Sequence, residues 1–383
     1  MSSSLVDTSP SSYRQLLVQA GYAITLVSMV CAFLSFYLSN TPLRLASIAF
    51  GTVLYIGMFA ASRNTPLKTA SIILFAISVP FAIANAWVSD FKSLVVPFAF
   101  LSSLAGAWYA LEYRKTRTLF EYAFWLYLAM TMYLIVIRGF GPDDFDDFFS
   151  GIGRNGYSAI LVAAACGYIV SREVRHLPSS PVLMGAALVA SIFLYGRSSI
   201  ASLAAIFAVV ALKRAPRIST IVIVAAICFV LFDFAEIQSL NQLDTNFKSG
   251  VESERWDMID EYRRALDGHT FVSGVSLATL PTVVAYDGNP HNAFLRLHSY
   301  LGISALIFIL IFIWSVVRLA GEKRLLLLTV LVAVLFRAFT DIILIFGTAD
   351  LFFMPLLLYP FFEFYWPQHL STASLPGSKL MEA

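Results

Sequence analysis

Long apolar runs separated by short polar connectors fill nearly the whole chain. A run must hold about 17–25 residues to cross a bilayer as a helix, and such runs occur at 16–38, 43–61, 67–88, 93–111, 119–138, 155–171, 181–196, 198–213, 218–235, 296–317, 323–347 and 350–366. Twelve transmembrane helices are therefore predicted, and the fold class is an all-α polytopic membrane protein. The pair flanking Gly196-Arg197 is short enough to be re-entrant instead. Composition agrees: 58% of the 383 residues are hydrophobic and 13% charged, with 33 Phe, and the mean hydropathy is +0.76. No single aqueous core hides that much apolar surface.

Domain organisation follows from the same pattern. Residues 1–15 are polar at first and read as a disordered cytoplasmic N-terminus. Residues 16–366 form one transmembrane domain, and 367–383 a short cytoplasmic tail. No small-residue cleavage site follows the first run, so that helix is expected to be retained. Cys31, Cys166 and Cys228 all lie inside apolar runs, where cysteine serves as a small buried hydrophobe.

Basic residues set the orientation. With the N-terminus cytoplasmic, the inside loops carry Arg63 and Lys68; Arg114, Lys115 and Arg117; Arg172 and Arg175; Lys213, Arg214 and Arg217; and Arg318, Lys323 and Arg324. The short outside loops hold only Arg44, Lys92, Arg138, Arg154 and Arg197. That asymmetry is the one cytoplasmic loops show. The formal net charge of +2 adds little, and nothing points to nucleic acid.

Two polar segments fall on the outside. One is Gly141-Pro142-Asp143-Asp144-Phe145-Asp146-Asp147. Adjacent carboxylates suit a divalent cation, but no further ligand pattern accompanies them and no metal or cofactor is assigned. The other is a loop over about 236–295, the one segment able to fold by itself. Within it Trp256, Ile259, Tyr262, Ala265 and Leu266 share a helical face, which suits a helix lying in the headgroup layer. Arg255 or Arg264 would then turn inward toward an anionic headgroup.

Further along, Asn289-Pro290 signals a turn before a helix start. His291 and Asn292 would sit at its first turn, at the water–lipid boundary. Imidazole can take a proton near neutral pH, and a helix N-terminus favours anions. Arg197, Arg337 and Asp341 lie in or beside apolar runs, where charge is costly and faces a cavity or a partner. Arg337 and Asp341 are four residues apart and can pair on one helix face. Arg197 has no local acid and suits a phosphate, which guanidinium grips in bidentate fashion.

The Gly196-Arg197-Ser198-Ser199 turn, Arg255-Trp256 in a late outside loop, and His291-Asn292 followed by Phe294-Leu295 and Tyr300-Leu301-Gly302 resemble the O-antigen ligase and O-antigen polymerase superfamily. The motif-bearing part covers roughly 150–345. The chain departs from the family at Gly274-Val275-Ser276, where many members have Gly-x-Gly. The resemblance implies an inverting, metal-independent glycosyltransferase of the bacterial inner membrane. It implies an undecaprenyl diphosphate-linked glycan as donor, and a lipid-linked glycan (polymerase) or lipid A–core (ligase) as acceptor. A chain-length regulator is a further implied partner, beside membrane lipids. Arg197 and Arg255 match the arginines assigned to the donor diphosphate and His291 the residue assigned to acceptor activation. Asn292, Arg264, Arg337 and Asp341 stand as supporting candidates. A polymerase is slightly favoured, because nothing in the loop points to lipid A–core. A protein O-oligosaccharyltransferase shares the motifs. A twelve-helix secondary transporter is the alternative from another class, but the long loop follows the ninth run rather than dividing equal halves.

Overall fold

The computed structural model describes residues 12–88, 91–113, 118–149, 153–214, 254–342 and 344–366. The expected ninth span, Cys228, residues 236–253 of the loop and the tail lie outside them. The described residues are helices and turns, with no strand among them. In chain order the helices are α1 (Ser12–Tyr37), α2 (Thr41–Ala61), α3 (Thr65–Val88), α4 (Val95–Glu112), α5 (Thr118–Val136), α6 (Pro142–Phe148), α7 (Gly153–Val174), α8 (Pro181–Phe193) and α9 (Arg197–Arg214). There follow α10 (Glu254–Arg264), α11 (Gly268–Ser273), α12 (Pro281–Ala285), α13 (Ala293–Leu301), α14 (Ser304–Gly321), α15 (Leu325–Phe339), α16 (Met354–Leu357) and α17 (Tyr359–Phe362).

Seven of the described helices are long and apolar enough to cross a membrane. These are α1 to α5, α7 and α14, α4 being counted with the 3-10 turn Phe91–Leu94 that leads into it. The short apolar helices α8 and α15 and the more polar α9 pack with them. α7 is the most enclosed, with 89% of its most apolar stretch buried. Its run Ser158-Ala159 through Ala163-Ala164-Ala165-Cys166-Gly167 explains why: small side chains let neighbouring helices approach closely, as in membrane interiors. A Cβ on Gly167 would meet Phe352 at 2.7 Å. Cys166 is buried and free, Cys31 half-buried.

Among the described residues five expected spans differ: 181–196 and 198–213 form the 13-residue α8 and the more charged α9, neither of which is among the seven, and three more depart in shape. The run 296–317 is two helices, broken at Gly302 (φ +52). There the backbone turns against Val272, whose carbonyl accepts from Ile303 N at 3.0 Å and would lie 2.1 Å from any Cβ on Gly302. The run 323–347 stops being helical after Phe339. The run 350–366 is a string of short turns, α16 and α17 each opening near a proline, Pro355 and Pro360. Proline lacks the amide that helix continuation needs.

Irregular backbone is tolerated among membrane helices only when protein satisfies it, and Asp350 does this. Its carboxylate, fully buried, accepts Ile345 N at 3.1 Å and Gly347 N at 3.2 Å. The Arg296 guanidinium donates to Ile345 O at 2.8 Å.

The described part of the loop has its own small core. Met258, Tyr262, Val275, Leu277, Leu280 and Val283 are buried together, with Ala265 and Leu295 against them. Asn85 of α3 ties this unit down, its amide donating to Ser273 O at 2.7 Å and Tyr300 O at 3.1 Å.

Candidate functional site

The turn before α9 is shaped by Gly196. A Cβ there would lie 2.6 Å from Ser158 Oγ, so only glycine lets α9 start this close to α7. Tyr195 turns the chain with φ +49. Arg197 then opens α9 with its side chain exposed. Two residues on, the Ser199 hydroxyl is fully buried and donates to Ser158 Oγ at 3.0 Å.

Arg337 reaches the same spot from the last turn of α15. It is 1% exposed. Its guanidinium donates to Ser199 Oγ at 3.0 Å, Thr340 Oγ1 at 3.2 Å, Asn155 O at 2.7 Å and Asp341 Oδ2 at 2.8 Å. The expected Arg337–Asp341 pair thus forms, although Asp341 lies just beyond the helix end. With these partners Arg337 holds three elements together and has little donor capacity left for a ligand.

Arg255 enters from the first turn of α10. Its electrostatic neighbours are Arg337, Asp341 and Arg197, and those of His291 are Arg255, Asp341, Glu254 and Arg337. Arg255, His291, Arg337, Asp341 and Glu254 thus form one electrostatic cluster, which Arg197 joins only through Arg255, as the weakest of the influences on it. Three guanidiniums share it with two carboxylates, one already spent on Arg337. Burial and then the Arg337 charge hold the Arg255 pKa below its ordinary value. Among the described residues Arg255 makes no ion pair or hydrogen bond.

His291 precedes α13 in a left-handed conformation, φ +46. Asn289 stabilises that turn by accepting His291 N at 2.8 Å through Oδ1. The half-buried imidazole meets Tyr286 edge to face at 5.5 Å, and neither ring nitrogen has a hydrogen-bond partner among the described residues. Burial first, and the Arg255 charge second, push its pKa below the usual imidazole value. The ring is therefore neutral at pH 7 and able to accept a proton.

His298, about two turns further on in α13, is committed elsewhere. Its Nδ1 accepts from the Tyr262 hydroxyl at 2.6 Å and its Nε2 donates to Phe271 O at 3.0 Å. The Phe271 carbonyl can only accept, which places the proton on Nε2 and leaves Nδ1 to accept from the phenol, kept protonated by burial.

Two supporting candidates take other places. Asn292 is the N-cap of α13: its Oδ1 accepts Phe294 N at 2.9 Å and Leu295 N at 3.1 Å, leaving its carbonyl oxygen no free role. Arg264 is nine residues from Arg255, half a turn out of phase on a helix of 3.6 residues per turn. It is exposed, donates to Asp260 O at 3.3 Å, and does not face the cluster. The packed face of α10 is also rotated from the expected one. Met258 and Tyr262 are buried, whereas Trp256 is 52% exposed, its ring 6.3 Å from Phe339. The apolar spacing of Trp256 misleads because this helix packs on a core of its own loop.

Tyr286 and Glu254 carry no sequence signal for the site. The Glu254 carboxylate at the start of α10 lies close enough to the Tyr286 hydroxyl to raise the phenol pKa, so α10 borders the ring that faces His291. The Gly274-Val275-Ser276 segment needs glycine at one place. Gly274 has φ +94 and lies against the carbonyls of His298 and Ser299, whereas Ser276 has φ −68, which any residue adopts. Only the first position needs glycine.

The acidic stretch lies in and beside α6 and meets Arg154, which pairs with Asp143 at 2.9 Å and Asp146 at 3.3 Å. Asp144 accepts Gly141 N at 2.7 Å at the helix start.

Comparisons of the chain with protein families, with curated proteins and with solved structures give no match.

Proposed function

We propose that the cluster binds the diphosphate of a polyprenyl-linked glycan, undecaprenyl diphosphate in a bacterial inner membrane, at the outer face of that membrane. The chain is then an inverting, metal-independent glycosyltransferase that extends a second lipid-linked glycan, a polymerase of surface polysaccharide. The reading is supported by one observation: Arg255, on the loop helix α10, lies within electrostatic range of both His291 and the distant Arg197, and the imidazole it faces has no ring hydrogen bond among the described residues.

The chemistry divides between them. As the C1–O bond to the diphosphate breaks, the departing phosphate takes the electron pair, and fixed guanidiniums stabilise that charge where it develops. The acceptor oxygen bonds C1 from the opposite face of the sugar, inverting the centre, and its proton passes to His291. Arg337, saturated by protein partners, positions Asp341 and the start of α9. A lateral opening between helices admits the polyprenyl tail, and α10 covers the headgroup.

The test is transfer in vesicles containing purified protein and an undecaprenyl diphosphate-linked oligosaccharide. Wild type should extend the glycan. Arg197→Ala and His291→Ala should each lose on the order of 100-fold in rate with an unchanged unfolding midpoint. Transfer at the wild-type rate by either variant removes that residue from the mechanism, and no product from wild type with any such donor ends the assignment.

A further inference from the structure

A second basic site lies at the other end of α7. Asn155, whose carbonyl holds Arg337, and Glu173 are both on this helix, separated by about 27 Å at 1.5 Å per residue. Near Glu173 a cavity of about 480 Å³ opens where the end of α7, the loop before α8, the last turn of α9 and the start of α15 meet. Glu173, His176, Ser179, Lys213, Arg214 and Leu326 line it.

The donors in this cavity are unevenly satisfied. Lys213 pairs with Glu173 at 3.4 Å, so one cation is offset. Arg214 has no hydrogen bond or ion pair among the described residues. Ser179 is 6% exposed, yet its buried hydroxyl has no hydrogen-bond partner. A buried hydroxyl without a partner is uncommon and asks for one. The nearby Arg172 and Arg175 share Glu121 as counter-ion, so arginine and lysine outnumber carboxylates in the region.

We infer that this cavity binds a phosphate group, gripped by the Arg214 guanidinium and the Ser179 hydroxyl, with Lys213 held at its rim by Glu173. A guanidinium and a buried hydroxyl in a basic recess suit phosphate oxygens. The basic-loop bias places this end in the cytoplasm, so the phosphate belongs either to an anionic phospholipid headgroup or to a free phosphate.

The experiment measures the thermal unfolding midpoint of the detergent-purified full chain during titration with inorganic phosphate, and separately with dihexanoyl phosphatidylglycerol. Dihexanoyl phosphatidylcholine serves as the zwitterionic control. Stabilisation by both anionic probes identifies a free-phosphate site; stabilisation by phosphatidylglycerol alone identifies a lipid headgroup site. In either case Arg214→Gln should weaken binding at least tenfold and Ser179→Ala severalfold. Lys323→Gln, an exposed lysine at the same end, should leave it unchanged. Both variants fall on exposed or isosteric positions and should fold. No stabilisation by either probe, equal stabilisation by phosphatidylcholine, or full binding by Arg214→Gln overturns the inference.

Discussion

Arg337 Nε donates to Ser199 Oγ at 3.0 Å across 138 positions of chain. Ser199 belongs to the Gly-Arg-Ser-Ser turn, so this bond ties the last turn of α15 to the start of α9, beside Arg197. A buried guanidinium is expensive unless every face is met, and Arg337 meets Ser199, Thr340, Asn155 and Asp341. It is a strut of the site.

Arg337→Met should therefore lower the unfolding midpoint sharply. It removes the guanidinium that offsets the buried Asp341 charge, at a cost of about 3–5 kcal/mol. The double variant Arg337→Met/Asp341→Leu should recover much of that loss, read by thermal unfolding in detergent. If both variants melt alike, the pair is not what the fold depends on.

Asn292→Ala should cost about 1 kcal/mol, the usual value of an N-cap, and Asn292→Asp should restore it because a carboxylate accepts the same two amides. Transfer rates should follow stability. A large rate loss in a fully stable Asn292→Asp protein would show a chemical role beyond the cap.

The pH profile of transfer should have its acid limb below the ordinary imidazole pKa, since burial and Arg255 both disfavour the imidazolium. His291 works as a base when neutral, so activity falls as pH drops through its pKa. Arg255→Gln removes a neighbouring cation; the His291 pKa should rise and the limb move to higher pH, whatever the height of the profile. A limb that stays in place separates the two residues.

Gly302→Ala should destabilise by about 2 kcal/mol or more. Its φ of +52 and ψ of −141 are unsuited to other residues, and the new methyl would strike the Val272 carbonyl. Gly268→Ala, with open space around it and no positive φ, should change the midpoint little. Equal effects at both positions would contradict this account.

Much of the helical scaffold is legible from the chain itself. Apolar runs of bilayer length must be helices because lipid cannot satisfy open backbone, and the runs of α1 to α5 and α7 are uninterrupted. Arg197, Arg255 and His291 also stand out, because charge and imidazole are rare in such a composition. Asn292 and Arg264 stood beside them by proximity in sequence, which says nothing of helical phase or capping.

Periodicity and hydropathy are local, and they determined which segments are helical and which side chains carry charge worth explaining. Only the tertiary structure decided that the last apolar run folds into turns around Asp350, that α10 rests on Met258 and Tyr262 rather than Trp256, and that Tyr286 and Glu254 flank His291. Those outcomes depend on which buried carbonyls and amides find partners from distant segments, and no window of sequence contains both members of such a pair.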